Sequence, residues 1–276
     1  MSAFPQAQPL PSLGRRDGVK QGRVALSEWT KLRSVRSTRW SLLAATVLTI
    51  GLPILFAFVV SSHWGHMSLR ERSHRHPLDI ALAGVNISQL AIGVLGVLVI
   101  TGEYSTGMIR ASFTAVPRRL PVLWAKTGVF AVVAFVLMVP SVLIAFFASQ
   151  AVLDRHHILQ ISFSQSGVAR AVIGGALYLT VIGVFALGLG AIIRNTAGGI
   201  AAFAGILFVL PPLMNVLPTS WNNAISPYLP SSAGRDVFAL VQDTNSLGAW
   251  TGFALFCGYA VAALAIAAVL LVRRDT

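Results

Sequence analysis

Six stretches without Asp, Glu, Lys or Arg constrain this chain more than any other feature. They lie at about residues 40–62, 80–101, 127–150, 171–193, 196–217 and 248–272. Each is long enough for the roughly 20 residues that a helix needs to cross bilayer hydrocarbon. No water is available there to pair with peptide groups, so each segment must satisfy its own hydrogen bonds, and that selects helix. Composition agrees: 55% of the 276 residues are hydrophobic and 11% are charged, against roughly 25% charged in soluble domains. The expected fold class is an all-α membrane protein with six transmembrane helices. The fifth is the least regular, because Pro211 and Pro212 interrupt it and Asn195 precedes it. Pro53 and Pro140 are expected to kink their spans.

The net charge of +12 would suit a nucleic-acid partner in a soluble protein. Here most of the basic residues flank apolar segments and read as topology signals, so no nucleic acid is expected. Fifteen of the 21 Lys and Arg fall on one side of the six spans. The positive-inside rule then places both termini, and the connector between spans two and three, in the cytoplasm of a plasma-membrane protein. Residues 1–22 carry scattered Pro and Gly and no apolar period. They read as a disordered cytoplasmic tail, without the apolar core of a signal peptide. The single Cys257 excludes an intrachain disulfide and a Cys-based zinc site.

Residues 23–39 change character. Val24, Ala25, Leu26, Trp29, Leu32 and Val35 occupy about half of a helical wheel, with Ser27, Thr30, Lys31 and Ser34 opposite and Glu28 and Arg36 spoiling the apolar side. An amphipathic interface helix fits, with Trp29 at headgroup depth and Lys31 and Arg33 on anionic membrane lipids. The connector after span two is polar and short. Ser105 or Thr106 can cap a helix there, Met108, Ile109 and Phe113 give it an apolar side, and Pro117 stops it. Glu103 opens this connector. Two readings of it stand open: a carboxylate facing water at the membrane edge, or an anchor paired with Arg110 or with an N-terminal arginine.

Small residues recur at helix-packing spacing, as in Gly84 and Ser88, Ala186 and Gly190, and Ala201 and Gly205. Such pairs join helices in lipid, within a chain or between chains. Residues 218–246 are apolar for an exposed loop and read as short helices dipping back into the membrane.

The chain has no P-loop, no His-Glu-x-x-His and no Gly-x-Ser-x-Gly. His63, His66, His74 and His76 have spacings that a metal could use, but Arg70, Arg72 and Arg75 among them repel a cation, and they read as solvated loop residues. No cofactor is expected on this chain. Ion-coupled carriers place ionisable groups inside their spans, and none lies within these six. The energy source is therefore expected outside the bilayer.

Glu103-Tyr-Ser-Thr-Gly-Met-Ile-Arg110, followed by Pro117-Arg-Arg119, resembles the membrane subunits of ABC-2 type ABC transporters, the actinobacterial members above all. Leu26-Ser-Glu-Trp-Thr-Lys-Leu-Arg33, Ser226-Pro-Tyr-Leu-Pro-Ser231 and the closing Arg273-Arg-Asp275 support the resemblance, which covers residues 23–276. It implies a transmembrane domain at 40–276, an interface helix at 23–39 and a coupling helix at 106–116. It also implies re-entrant helices before span six and a second permease copy, as homodimer or heterodimer. A separate cytoplasmic ABC ATPase subunit would carry ATP and Mg. The residues implied for ATPase coupling are Glu103, Tyr104, Thr106, Met108, Ile109, Arg110 and Phe113. Those implied for the interface helix are Glu28, Trp29, Lys31, Leu32 and Arg33. The function so implied is export of a drug-like, lipid or polysaccharide substrate. Set against it are a membrane-embedded hydrolase or lipid-modifying enzyme, and a membrane assembly or regulatory subunit that transports nothing.

Overall fold

The computed structural model describes residues 21–73, 76–107, 119–155, 158, 160–241 and 245–273. Among them the regular structure is helical, without strands: α1 (Gln21–Ser34), α2 (Arg36–His63), α3 (Leu69–Ser73), α4 (Pro77–Ser105), α5 (Arg119–Arg155), α6 (Val168–Ile193), α7 (Thr196–Ala204), α8 (Leu210–Met214), α9 (Thr219–Ile225), α10 (Pro230–Arg235) and α11 (Ala249–Arg273). Six helical segments are long and apolar enough to cross a membrane: α2, α4, α5, α6, the α7–α8 unit and α11.

Residues adjacent in sequence set the ends of several elements. Ser68 and Glu71 form a capping box at α3, where the Ser68 amide donates to Glu71 Oε2 at 2.8 Å and the Glu71 amide to Ser68 Oγ at 3.3 Å. Pro77 opens α4 at a position that needs no amide donor. Arg194 ends α6 in the left-handed conformation, with φ of 59°. Asn195 then caps α7 by accepting from the Gly198 amide at 2.9 Å. Pro211 and Pro212 withhold donors from Leu207 and Phe208, and the preceding turn, Gly205–Val209, widens into a π-turn. The fifth span is thus interrupted where its prolines fall. Pro53 and Pro140, by contrast, lie inside continuous helices.

The helix expected over residues 23–39 ends earlier. Val35 is extended, with φ −75° and ψ 119°, and residues 36–39 already belong to α2. The disordered tail read over residues 1–22 lies outside the described residues except for Gln21 and Gly22, which begin α1.

The core is built on α4 and α6. α6 is buried on nearly all sides, whereas the α7–α8 unit is the most exposed span, 17% buried against 67% for α6. Backbones approach closely where glycines face one another. A Cβ on Gly96 would stand 2.3 Å from the Gly183 carbonyl oxygen, and one on Gly190 would meet Val97 and Ile100. Gly84 packs on Thr49 and Pro53 of α2, and Ser88 completes that contact by a 2.8 Å hydrogen bond with Thr49. Gly84, Ser88, Ala186 and Gly190 are therefore internal packing residues. Ala201 is exposed and Gly205 meets nothing within 4 Å, so that pair joins no helix among the described residues.

Before α11, the expected short helices are α9 and α10. α10 is held inside the bundle. Gly234 lies against the Tyr178 ring, and the Arg170 guanidinium donates to the carbonyls of Val237 and Ala239, both at 3.0 Å. Arg170 thereby satisfies the carbonyls left open beyond the helix.

Candidate functional site

At the end of the bundle where α4 and α6 finish, four charged side chains form a closed ring. Lys126 Nζ, on α5, donates to Glu28 Oε2 of α1 at 2.5 Å and to Glu103 Oε1 of α4 at 2.9 Å. Lys31 Nζ, also on α1, donates to Glu28 Oε1 at 2.7 Å and to Glu103 Oε1 at 3.0 Å. Each lysine bridges both carboxylates, so charges alternate around the ring and sum to zero. Glu28 is 2% exposed, Lys126 3% and Glu103 5%. Burial at this depth is tolerable only because each charge is paired and hydrogen-bonded.

Local structure delivers the four groups. Glu28 and Lys31 are three residues apart and so share one face of α1. Glu103 lies in the last turn of α4, and Lys126 lies two turns into α5. The ring therefore clamps α1 across the two helix ends from which the 106–118 connector departs. Beside it lies a cavity of about 220 Å³, bordered by Thr38, Ser105, Thr106 and the ring itself. Glu103 Oε2 is buried, with no hydrogen-bond partner among the described residues.

A second contact fastens the same end. The Arg194 guanidinium lies over the Tyr104 ring, 5.3 Å from its centroid, and donates to the Leu270 carbonyl at 3.2 Å. Thr196 and Thr101 hydroxyls meet at 2.9 Å. The ends of α4, α6 and α11 are tied together there.

Several expectations change. Glu103 is not a free carboxylate at the membrane edge, and among the described residues it pairs with no arginine. Its observed partners are Lys31 and Lys126, and Arg110 lies outside the described residues. Glu28, read as a blemish on an apolar face, is the most buried member of the ring. Lys31, placed on the polar side, turns inward. The face of α1 that enters the protein carries Val24, Glu28 and Lys31, while Leu26 and Trp29 stay 66% and 46% exposed. Ion pairing to α4 and α5 decides which side of α1 turns in. Ser105 and Thr106 finish α4, their hydroxyls donating to the Gly102 carbonyl at 3.0 and 2.8 Å. Leu32 is half-buried and Arg33 exposed. Met108, Ile109 and Phe113, and with them the coupling helix expected at 106–116 beyond Gly107, lie outside the described residues, as do His74, Arg274 and Asp275.

Lys126, directly before the third uncharged stretch, is not among the residues expected at a site. A sequence signal for its role exists. The chain has three lysines among its 21 basic residues and three glutamates among its nine acidic ones, and the ring takes two of each. A compact ammonium with three rotatable donors bridges two carboxylates in a way that a planar guanidinium does not. Lysine in an arginine-rich chain thus marks a geometric need.

Burial opposes the charge on Lys31, but the hydrogen bond and field of Glu28 and the field of Glu103 outweigh it, and its pKa is raised above the ordinary lysine value. A raised folded-state pKa adds stability that is fully present below the unfolded-state value, about 10.4, and is lost as pH rises through the folded-state value. The thermal midpoint of Lys31→Met in detergent is therefore expected below that of the parent by a constant amount through neutral pH. The gap closes only as pH climbs beyond about 10.4. A gap that closed already within the neutral range would contradict this assignment.

No protein-family model matches the sequence, and no curated protein matches it.

Proposed function

We propose that this chain is the membrane-spanning subunit of an ATP-driven exporter of the ABC-2 type. It would work as a dimer in the plasma membrane with cytoplasmic termini, driven by a separate cytoplasmic ATPase. The observation that carries the reading is the ring of Glu28, Glu103 and Lys126, all buried, with the half-buried Lys31, which pins α1 to both helix ends flanking the 106–118 connector. A push on such a connector moves α4, α5 and α1 as one body, because displacing any of them alone strands buried charges. Two further features support it. Every described charged residue of the spanning helices lies within about two turns of a helix end, which leaves no midplane relay for ion coupling. The motif residues 26–33, 103–110 and 226–231 resemble those of such permeases. Substrates of the drug-like, lipid or polysaccharide kind suit the reading.

The test is co-purification with a P-loop ATPase and ATP-dependent transport in reconstituted vesicles. Ile109→Asp with Phe113→Asp is expected to lower transport by at least about tenfold, the loss of a small apolar contact patch at an interface, with the permease still folded. In a Cys257→Ala background, Thr106→Cys is expected to react with impermeant maleimide only from the cytoplasmic side. Labelling from outside, or activity of the purified chain without any nucleotide hydrolase, defeats the proposal.

A further inference from the structure

A groove of about 360 Å³ runs between α1, α2 and α5, with Leu32 of α1 bordering both it and the ring's cavity. Its wall is aliphatic: Leu42 of α2 and Val132, Val136 and Leu137 of α5. Val132 and Val136 are 62% and 60% exposed, so the wall lies open. Arg33, near the end of α1, and Arg39, in the first turn of α2, border it. Both are exposed, and neither has an ion pair among the described residues. The break in the helix at Val35 places these two cations on either side of the helix junction.

We infer that this groove holds one anionic phospholipid, its acyl chain along Val132, Val136 and Leu137 and its phosphate between Arg33 and Arg39. The volume equals that of about a dozen waters, enough for a stretch of acyl chain. The charge pattern selects the lipid class, because two guanidinium groups without an ion pair among the described residues, at the edge of an aliphatic trough, match an anionic headgroup with its tail. Trp29, 46% exposed and also lining the groove, suits the headgroup boundary. Lipid there fills the angle between α1 and the first span and holds α1 against the bundle. The inference rests only on the chain spanning a bilayer and is independent of the exporter reading.

Native mass spectrometry of the full chain tests it, with equimolar dioleoyl-phosphatidylglycerol and dioleoyl-phosphatidylcholine added in detergent. The parent protein is expected to retain one phosphatidylglycerol with a preference of about thirtyfold, the scale that two surface arginines confer. Arg33→Gln with Arg39→Gln is expected to abolish the preference. Val136→Trp, which fills the trough at an exposed position, is expected to lower retention of both lipids. Arg155→Gln at the far end of α5 is expected to change neither. Equal retention of the two lipids by the parent overturns the inference, as does a preference that survives the double substitution. A lipid-free dimer that Val136→Trp dissociates would assign the groove to a second copy of this chain and also overturn it.

Discussion

Lys126→Met is expected to destabilise the protein by about 3–5 kcal/mol, because it leaves Glu28 and Glu103 buried with one shared cation instead of two. Thermal unfolding in detergent measures the loss. The diagnostic comparison is the double variant Lys126→Met with Glu28→Gln. It removes one charge of each sign and leaves the Lys31–Glu103 pair at 3.0 Å intact. Its cost is therefore expected to be smaller than that of Lys126→Met alone, which additive effects could not produce. Lys126→Arg keeps the charge but brings a larger, planar group to a site 3% exposed and is expected to rescue little. If Lys126→Met unfolds like the parent, the ring contributes nothing to holding α1, α4 and α5 together. The exporter reading then loses the clamp on which it rests. Transport by the same variants separates stability from coupling: a folded variant that hydrolyses ATP with its partner but does not transport locates the transmission step in the ring.

The second large effect is expected at the crossing of α4 and α6. Gly96→Ala would place a methyl 2.3 Å from the Gly183 carbonyl oxygen, and backbone on both sides cannot rotate away. The helices must separate, and overpacking of this kind costs about 1–3 kcal/mol. Gly128→Ala is the matched control. Gly128 lies within α5 with nothing within 4 Å of the added methyl, so the same substitution is expected to be neutral or stabilising by up to about 1 kcal/mol through helix propensity. Opposite signs for one chemical change isolate close approach as the cause. Equal effects at the two positions would mean that α4 and α6 do not pack through their glycines.

The two sites differ in how far the sequence exposes them. Six helices follow from segment length and lack of charge alone, since an apolar stretch of that length has no other way to satisfy its backbone in lipid. The break at Asn195, the disruption at Pro211-Pro212 and the short helices before the last span are equally local, because each depends on one or two residues and their immediate neighbours. Gly84 with Ser88 was visible as a spacing. Gly96 with Gly183 was not, because the glycines sit 87 positions apart on different helices and neither belongs to a four-residue pair.

The ring lies at the far end of that scale. Helical periodicity states that Glu28 and Lys31 share a face, but not that this face, rather than the one with Leu26 and Trp29, turns inward. Lys126 meets Glu28 across 98 positions and Glu103 across 23, while Lys31 meets Glu103 across 72. The sequence by itself determined the class of protein, the number of spanning helices and where several of them end, all through interactions within a few residues. Only the tertiary structure decided which face of α1 is buried and which charges neutralise one another. That choice depends on long-range Coulombic pairing in a low-dielectric setting, whose strength exists only once the helices are assembled.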